Sequence, residues 1–65
     1  MDVAELAELL HETEGRHGAY ESTHPKHNWW DWYAAYVNAR IQGSAPDEAA
    51  AAAGLYMEEL RNASQ

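Results

Sequence analysis

Apolar positions recur at helical spacing in three stretches of the chain. In the first, Val3, Leu6, Leu10, Thr13, His17 and Tyr20 follow a 3-4-3-4-3 rhythm, and Glu5, Glu8 and Glu12 fall on the opposite face. At about 100° per residue that rhythm describes one side of an α-helix. Asp2 precedes the pattern and Glu5 follows three residues later, a capping-box-like pair that suits both the orphan amides and the helix dipole. Gly15 and Gly18 weaken the last turns or allow close approach of a neighbour. Pro25 pushes His24 out of helical geometry, so the element ends by about Thr23.

The second stretch starts at Asn28 with Asp31 three residues on, and stops at Gly43. On a wheel Ala39, Trp32, Tyr36, Trp29, Tyr33, Val37, Trp30, Ile41 and Ala34 span roughly 220°, leaving Asp31, Ala35 and Asn38 on the far side. So wide an arc needs more than one neighbour. Its excess, either from Trp32 through Ala39 or around Trp30 and Ile41, is the part left for an interface. In the third stretch Ser44 caps, Asp47 reciprocates and Pro46 sits in the first turn, where its missing amide costs nothing. Ala49, Ala53, Tyr56 and Leu60 form the core stripe beside Met57, Leu55 faces outward, and residues 62–65 fray. The alanine run at 49–53 is strong helix-forming material that lets helices approach closely.

These patterns predict an all-α fold: a compact three-helix bundle in one domain over 1–65, with helices near 2–21, 28–42 and 45–61. Short linkers make neighbouring helices near-antiparallel. The expected core is Leu6, Leu10, His17, Trp29, Tyr33, Val37, Ala53, Tyr56 and Leu60.

Composition adds a constraint. A domain of 65 residues buries only about 60% of its unfolded surface, and without cysteine it has no disulfide or thiolate zinc site to compensate. With no Phe and few large aliphatics, three Trp and four Tyr supply much of the apolar area. A homodimer is therefore expected over a monomer. The formal charge of −7, from four Lys and Arg against eleven carboxylates, argues against nucleic acid or an anionic membrane as partner. No apolar run approaches the ~20 residues of a membrane span. Met1-Asp2-Val3-Ala4-Glu5 lacks the basic start of a secretion signal, which makes cytoplasmic location the default expectation.

Candidate chemistry gathers at the histidines. His11, His17, His24 and His27 lie within seventeen positions, interleaved with Glu12, Glu14 and Glu21. Glu14-Gly15-Arg16-His17 has the Glu-x-x-His form of helix-bundle carboxylate metal sites, but the other helices offer no matching inward glutamates. A single zinc, nickel or copper ion asks for less, and His24-Pro25-Lys26-His27 with His17 or Glu21 supplies three ligands. The bland alternative is a set of surface or capping histidines. His17 itself reads either as a proton-handling group between Glu14 and Glu21 or as a core histidine bonded to a tyrosine or carbonyl.

Trp29, Trp30, Trp32, Tyr33 and Tyr36 are first of all core or subunit interface; the other reading is a pocket for a cation or planar ligand. Arg40 stacks on them or forms a buried pair with a carboxylate. No Cys is present, and Ser22, Ser44 and Ser64 occupy loop, cap and tail, so nucleophilic catalysis finds no support.

The run His27-Asn28-Trp29-Trp30-Asp31-Trp32-Tyr33-Ala34-Ala35-Tyr36-Val37-Asn38-Ala39-Arg40, followed by Gly43 and Pro46-Asp47-Glu48-Ala49-Ala50, resembles a short helical segment of actinobacterial and related bacterial proteins. That segment has a Trp-x-Asp-Trp-Tyr-Ala-x-Tyr helix and then a Pro-x-Glu-Ala-Ala helix. It occurs alone or appended to glyoxalase/bleomycin-resistance-type proteins of the vicinal-oxygen-chelate class. Leu9-Leu10-His11-Glu12 and Arg16-His17-Gly18-Ala19-Tyr20-Glu21 resemble its first helix, so the likeness covers nearly the whole chain. It implies a self-contained helical module that packs on a larger catalytic domain or on its own copy. No catalytic residue carries over, because the ligands of the glyoxalase-type domain lie on β-strands this chain lacks.

The expected function is thus a non-enzymatic interaction or accessory module that docks an aromatic surface, with Trp29, Trp30, Trp32, Tyr33, Tyr36 and Arg40 as its residues, onto itself or a larger protein. No cofactor is required by that reading. The alternative is a small-ligand or divalent transition-metal protein using His17, Glu21, His24 and His27.

Overall fold

Asp2 opens the first helix as its sequence position suggests: its carboxylate accepts the Glu5 amide at 2.8 Å, and α1 runs Val3–Glu21. The computed structural model describes residues 1–24 and 27–63. Pro25 and Lys26, central to the His-Pro-Lys-His reading, lie outside the described residues, as do Ser64 and Gln65 at the end expected to fray. The end of α1 is closed by side chains, with the Ser22 hydroxyl donating to the Ala19 carbonyl at 2.7 Å and Thr23 to that of Tyr20 at 3.3 Å. These contacts satisfy carbonyls that the helix leaves without partners.

The second helix, α2, spans Trp29–Ile41 behind Asn28, whose side chain makes no capping bond. Its end is a Schellman motif. The Ser44 amide donates to Ala39 and the Gly43 amide to Arg40, both at 3.0 Å, while Gly43 takes a φ of +106°. That left-handed conformation is why glycine stands there. The third helix, α3, spans Pro46–Ala63. Its cap lies one residue later than the sequence pattern proposes: Glu48, not Asp47, reaches back to the amide of Ala45 at 2.9 Å. Asp47 is drawn away by Arg16 of α1, 2.8 Å distant. Asn62 and Ala63 continue the helix instead of fraying.

The three helices leave no strand among the described residues, and α2 packs against both of the others. The fully buried side chains are Trp32 and Tyr36 of α2, Thr13 of α1 and the alanines Ala49 and Ala53 of α3. Leu9, His17 and Ala39 complete this core, and Tyr20, Tyr33, Ala35, Val37, Ala50 and Met57 pack around it. Alanine at 49 and 53 leaves room for the stacked rings of Trp32 and Tyr36, 5.2 Å apart at 15°. Thr13 satisfies its buried hydroxyl on the Leu9 carbonyl at 2.7 Å.

The core therefore differs from the one the periodicity predicts. Leu6, Leu10, Trp29, Tyr56 and Leu60 are exposed, Val37 and Tyr33 only half-buried, and the stripe of α1 is Leu9, Thr13, His17 and Tyr20. On α3 it is Ala49, Ala53 and Met57. Length explains part of the shift. At 1.5 Å per residue the 13-residue α2 is about 20 Å long, whereas the 19- and 18-residue flanking helices reach about 27–29 Å. The central helix cannot cover the outer ends of its neighbours, so Met1, Val3 and Leu60 face solvent. Among the described residues no helix is long and apolar enough to cross a membrane.

Candidate functional site

Two stripes face each other across an open groove of about 720 Å³ between α1 and the first turns of α2. One is Leu10, Glu14, His17 and Glu21, spaced 4-3-4; the other is Trp29 and Tyr33, one turn apart. His11 completes the lining. The stripes meet because the antiparallel register of α1 and α2 is pinned by polar side chains on both. The Tyr33 hydroxyl donates to the Glu14 carboxylate, and further along, the Tyr36 hydroxyl donates to Glu12 at 2.7 Å. Arg40 grips the same Glu12 with Nε at 2.8 Å and Nη2 at 3.2 Å, and donates Nη1 to the Ser44 carbonyl in the turn after α2 at 3.0 Å.

This Glu12 anchor has a clear electrostatic signature. Hydrogen bonds from Arg40 and then Tyr36 hold the Glu12 carboxyl below its usual range. The Tyr36 phenol shifts the other way and is pushed up to about 12, first by burial and then by its bond to the Glu12 carboxylate. Arg40 answers the sequence expectation of a pair with a carboxylate, although the pair is only half-buried. Sequence periodicity assigns Glu12 to the outward face with Glu5 and Glu8. Its place on the flank of the buried stripe, beside Thr13, was the available signal, since a long side chain reaches inward from such a position.

At the back of the groove lies His17, 4% exposed. Its Nε2 is 2.9 Å from Nε2 of His27, so one ring donates and the other accepts. Its Nδ1 is 3.6 Å from Glu21. Around it stand Trp32 at 5.4 Å, Tyr33 at 5.2 Å and His27 at 5.0 Å between ring centroids. Tyr20 extends the cluster by touching His27 edge-on at 5.1 Å and stacking on His24 at 3.9 Å. The buried indole N–H of Trp32 finds no acceptor among the described residues.

Of the four proposed metal ligands, His17 approaches His27 through one ring nitrogen and Glu21 through the other. His24 is engaged elsewhere, with Nδ1 at 3.0 Å from the Tyr20 carbonyl and 2.9 Å from the Thr23 hydroxyl. Among the described residues no group of three His, Asp or Glu is placed to hold a metal ion. Of the aromatic interface candidates, Trp32 and Tyr36 are consumed by the chain's own core and Tyr33 is half-buried. Trp29 and Trp30 remain outside, 55% and 53% exposed, with their rings edge to face at 5.7 Å. Glu14 lines the groove as the first residue of the Glu-x-x-His pattern, whereas Leu10 is not legible as a site residue in the sequence, because a groove wall belongs to two helices and neither pattern shows it alone.

No protein-family model, curated protein sequence or solved structure matches this chain.

Proposed function

We propose that this protein is a non-enzymatic helical interaction module that docks its aromatic face onto another protein surface, either a second copy of itself or a larger partner. The observation that carries the reading is the pair Trp29 and Trp30, adjacent in sequence and each more than half exposed in a chain that has few large apolar side chains to spare. Contiguous exposed aromatic surface marks interaction sites, because it can exclude water over a large area at low cost in side-chain entropy. Leu10 and Leu6, 44% and 39% exposed on α1, add apolar area. The resemblance of the Trp29 to Arg40 helix to a segment that occurs alone or appended to glyoxalase/bleomycin-resistance-type proteins fits either occupant, a second copy or a larger protein.

Sedimentation velocity combined with iodide quenching of tryptophan tests the proposal. A self-associating species that becomes monomeric in the Trp29→Ala/Trp30→Ala variant, with helicity retained, supports a second copy as partner. A monomer with two quenchable tryptophans and one protected supports docking on another protein. A monomer with all three tryptophans protected overturns the proposal.

The rival is a transition-metal site on His17, Glu21, His24 and His27. What favours it is the 2.9 Å approach of the His17 and His27 rings; a metal would have to replace that hydrogen bond. Elemental analysis of protein purified without an affinity tag decides between them, together with thermal melts in zinc, nickel and copper. Metal-free protein whose melting temperature none of the three raises eliminates the site.

A further inference from the structure

The groove beside Trp29 combines two features that select for the same ligand chemistry. Its walls are aromatic and apolar: Trp29 and Tyr33 stand nearly perpendicular, 79° apart at 5.1 Å, and Leu10 faces them from α1. Among the described lining residues the carboxylates are Glu14 and Glu21, beside the imidazoles of His11 and His17. Glu14 and Glu21 lie on one face of α1, two turns or about 10 Å apart, and none of the described lining residues is Lys or Arg. The Tyr33 hydroxyl fixes the Glu14 carboxylate against this wall. The C-terminal pole of α1, with no basic residue in its last turn, adds potential of the same sign, while the opposite pole of α2 is offset by Asp31 in its first turn. A net charge of −7 on the whole chain steers cations toward such a cleft.

Resting on the interaction reading above, we propose that the groove is the seat for a Lys or Arg side chain presented by an amphipathic basic helix of a partner protein. The aliphatic stem lies along Leu10 and the Trp29 ring, and the cationic head sits within reach of the aromatic faces and of Glu14 or Glu21. Aromatic faces attract cations through their ring quadrupole, and the carboxylates supply the hydrogen-bond acceptors. Charge complementarity names the partner's sign: the same groove of a second copy, packed face to face, would bring two more carboxylates against these two, whereas a basic helix neutralises them. An anionic ligand meets no cation among the described lining residues.

Titration with three probes tests this, read by Trp fluorescence and by NMR shifts of the Trp29 indole. The probes are a 14-residue amphipathic peptide of Leu and Lys, the same pattern with Glu in place of Lys, and spermidine. The Lys peptide is expected to bind and to shift Trp29, with affinity falling about tenfold in Glu14→Gln/Glu21→Gln and about three- to fivefold in Trp29→Leu. Glu58→Gln/Glu59→Gln removes the same charge from exposed positions of α3 and is expected to change affinity by less than about twofold at physiological salt. All of these side chains are exposed, so circular dichroism is expected to show an intact fold. Equal losses in the two glutamate pairs would reduce the effect to net charge and overturn the proposal. Equal binding of the Glu peptide would overturn it as well, and spermidine binding as tightly as the peptide would reassign the groove to small free cations. If the Lys peptide fails to bind while Trp29→Ala/Trp30→Ala still abolishes association, the interaction module stands and this inference falls.

Discussion

Three side chains from two helices, Glu12, Tyr36 and Arg40, fix the register that creates the groove, and their titration makes that role measurable. Tyr36 is fully buried and its phenol is held up to about 12 against an ordinary 10. A folded-state value above the unfolded one means that the contribution is complete below pH 10 and is lost as pH rises toward 12, an increment of roughly 2–3 kcal/mol. Denaturant midpoints measured at pH 8 and pH 11 are therefore expected to fall with pH in the natural protein. Tyr36→Phe should start lower but lose less between those two values. Glu12 works with the opposite sign. Its carboxyl is held below 4.5, so its contribution is present above that pH and disappears as acid protonates it in the folded state. Glu12→Gln should thus destabilise the protein at pH 7, with the difference narrowing as the pH is lowered below 4.5, as paired thermal melts would show. Of this trio, Arg40 was legible in the sequence as a partner for a carboxylate. Which carboxylate was not, because Glu12 and Arg40 are 28 residues apart and only the packed pair of helices sets their distance.

Among the elements, α1 is the least optimised, and the reason is local. Gly15 and Gly18 occupy helix interior positions where an added Cβ would meet nothing within 4 Å. Close approach of a neighbour, one reason to keep glycine there, does not apply, so each costs up to about 1 kcal/mol relative to alanine. Gly15→Ala/Gly18→Ala is expected to raise the melting temperature by roughly 5–15 °C, read by circular dichroism, without changing the fold. The helices themselves were legible because their ends are written in single residues: Asp2 with Glu5, Gly43 and Pro46. Which face turns inward was not. Leu9 and Leu10 are equally apolar, and the 3-4 rhythm through Leu6 and Leu10 fits a helix as well as the one through Leu9 and Thr13. Burial of Trp32 and Tyr36 from α2 selects the second, a non-local choice that no window of α1 contains. In α2 the arc was too wide for periodicity to choose an inner edge, and Trp32, Tyr36 and Ala39 took it.

At the scale of the whole molecule, one indole stands in the core and the other two stand more than half in solvent. Stability of 0.05–0.15 kcal/mol per residue gives a chain this long on the order of 3–10 kcal/mol in total. Trp32, 1% exposed, touches Tyr36, Tyr20 and His17, so it ties α2 to the groove side of α1 and sits at the centre of the core. Truncating a buried tryptophan costs about 3–5 kcal/mol through lost transfer energy and the cavity left behind. Trp32→Ala should therefore leave a chain with little or no cooperative melting transition at 25 °C and above. Trp29 and Trp30 have over half their surface in water already, and replacing exposed residues shifts stability by about 0.5 kcal/mol each. Trp29→Ala/Trp30→Ala should melt within a few degrees of the natural protein. Thermal melts of the two variants side by side separate core from surface, because a fold that survives the loss of both tryptophans leaves their aromatic area available for contact with something else. A double variant that melts like Trp32→Ala would return Trp29 and Trp30 to the core and leave the groove without its aromatic wall.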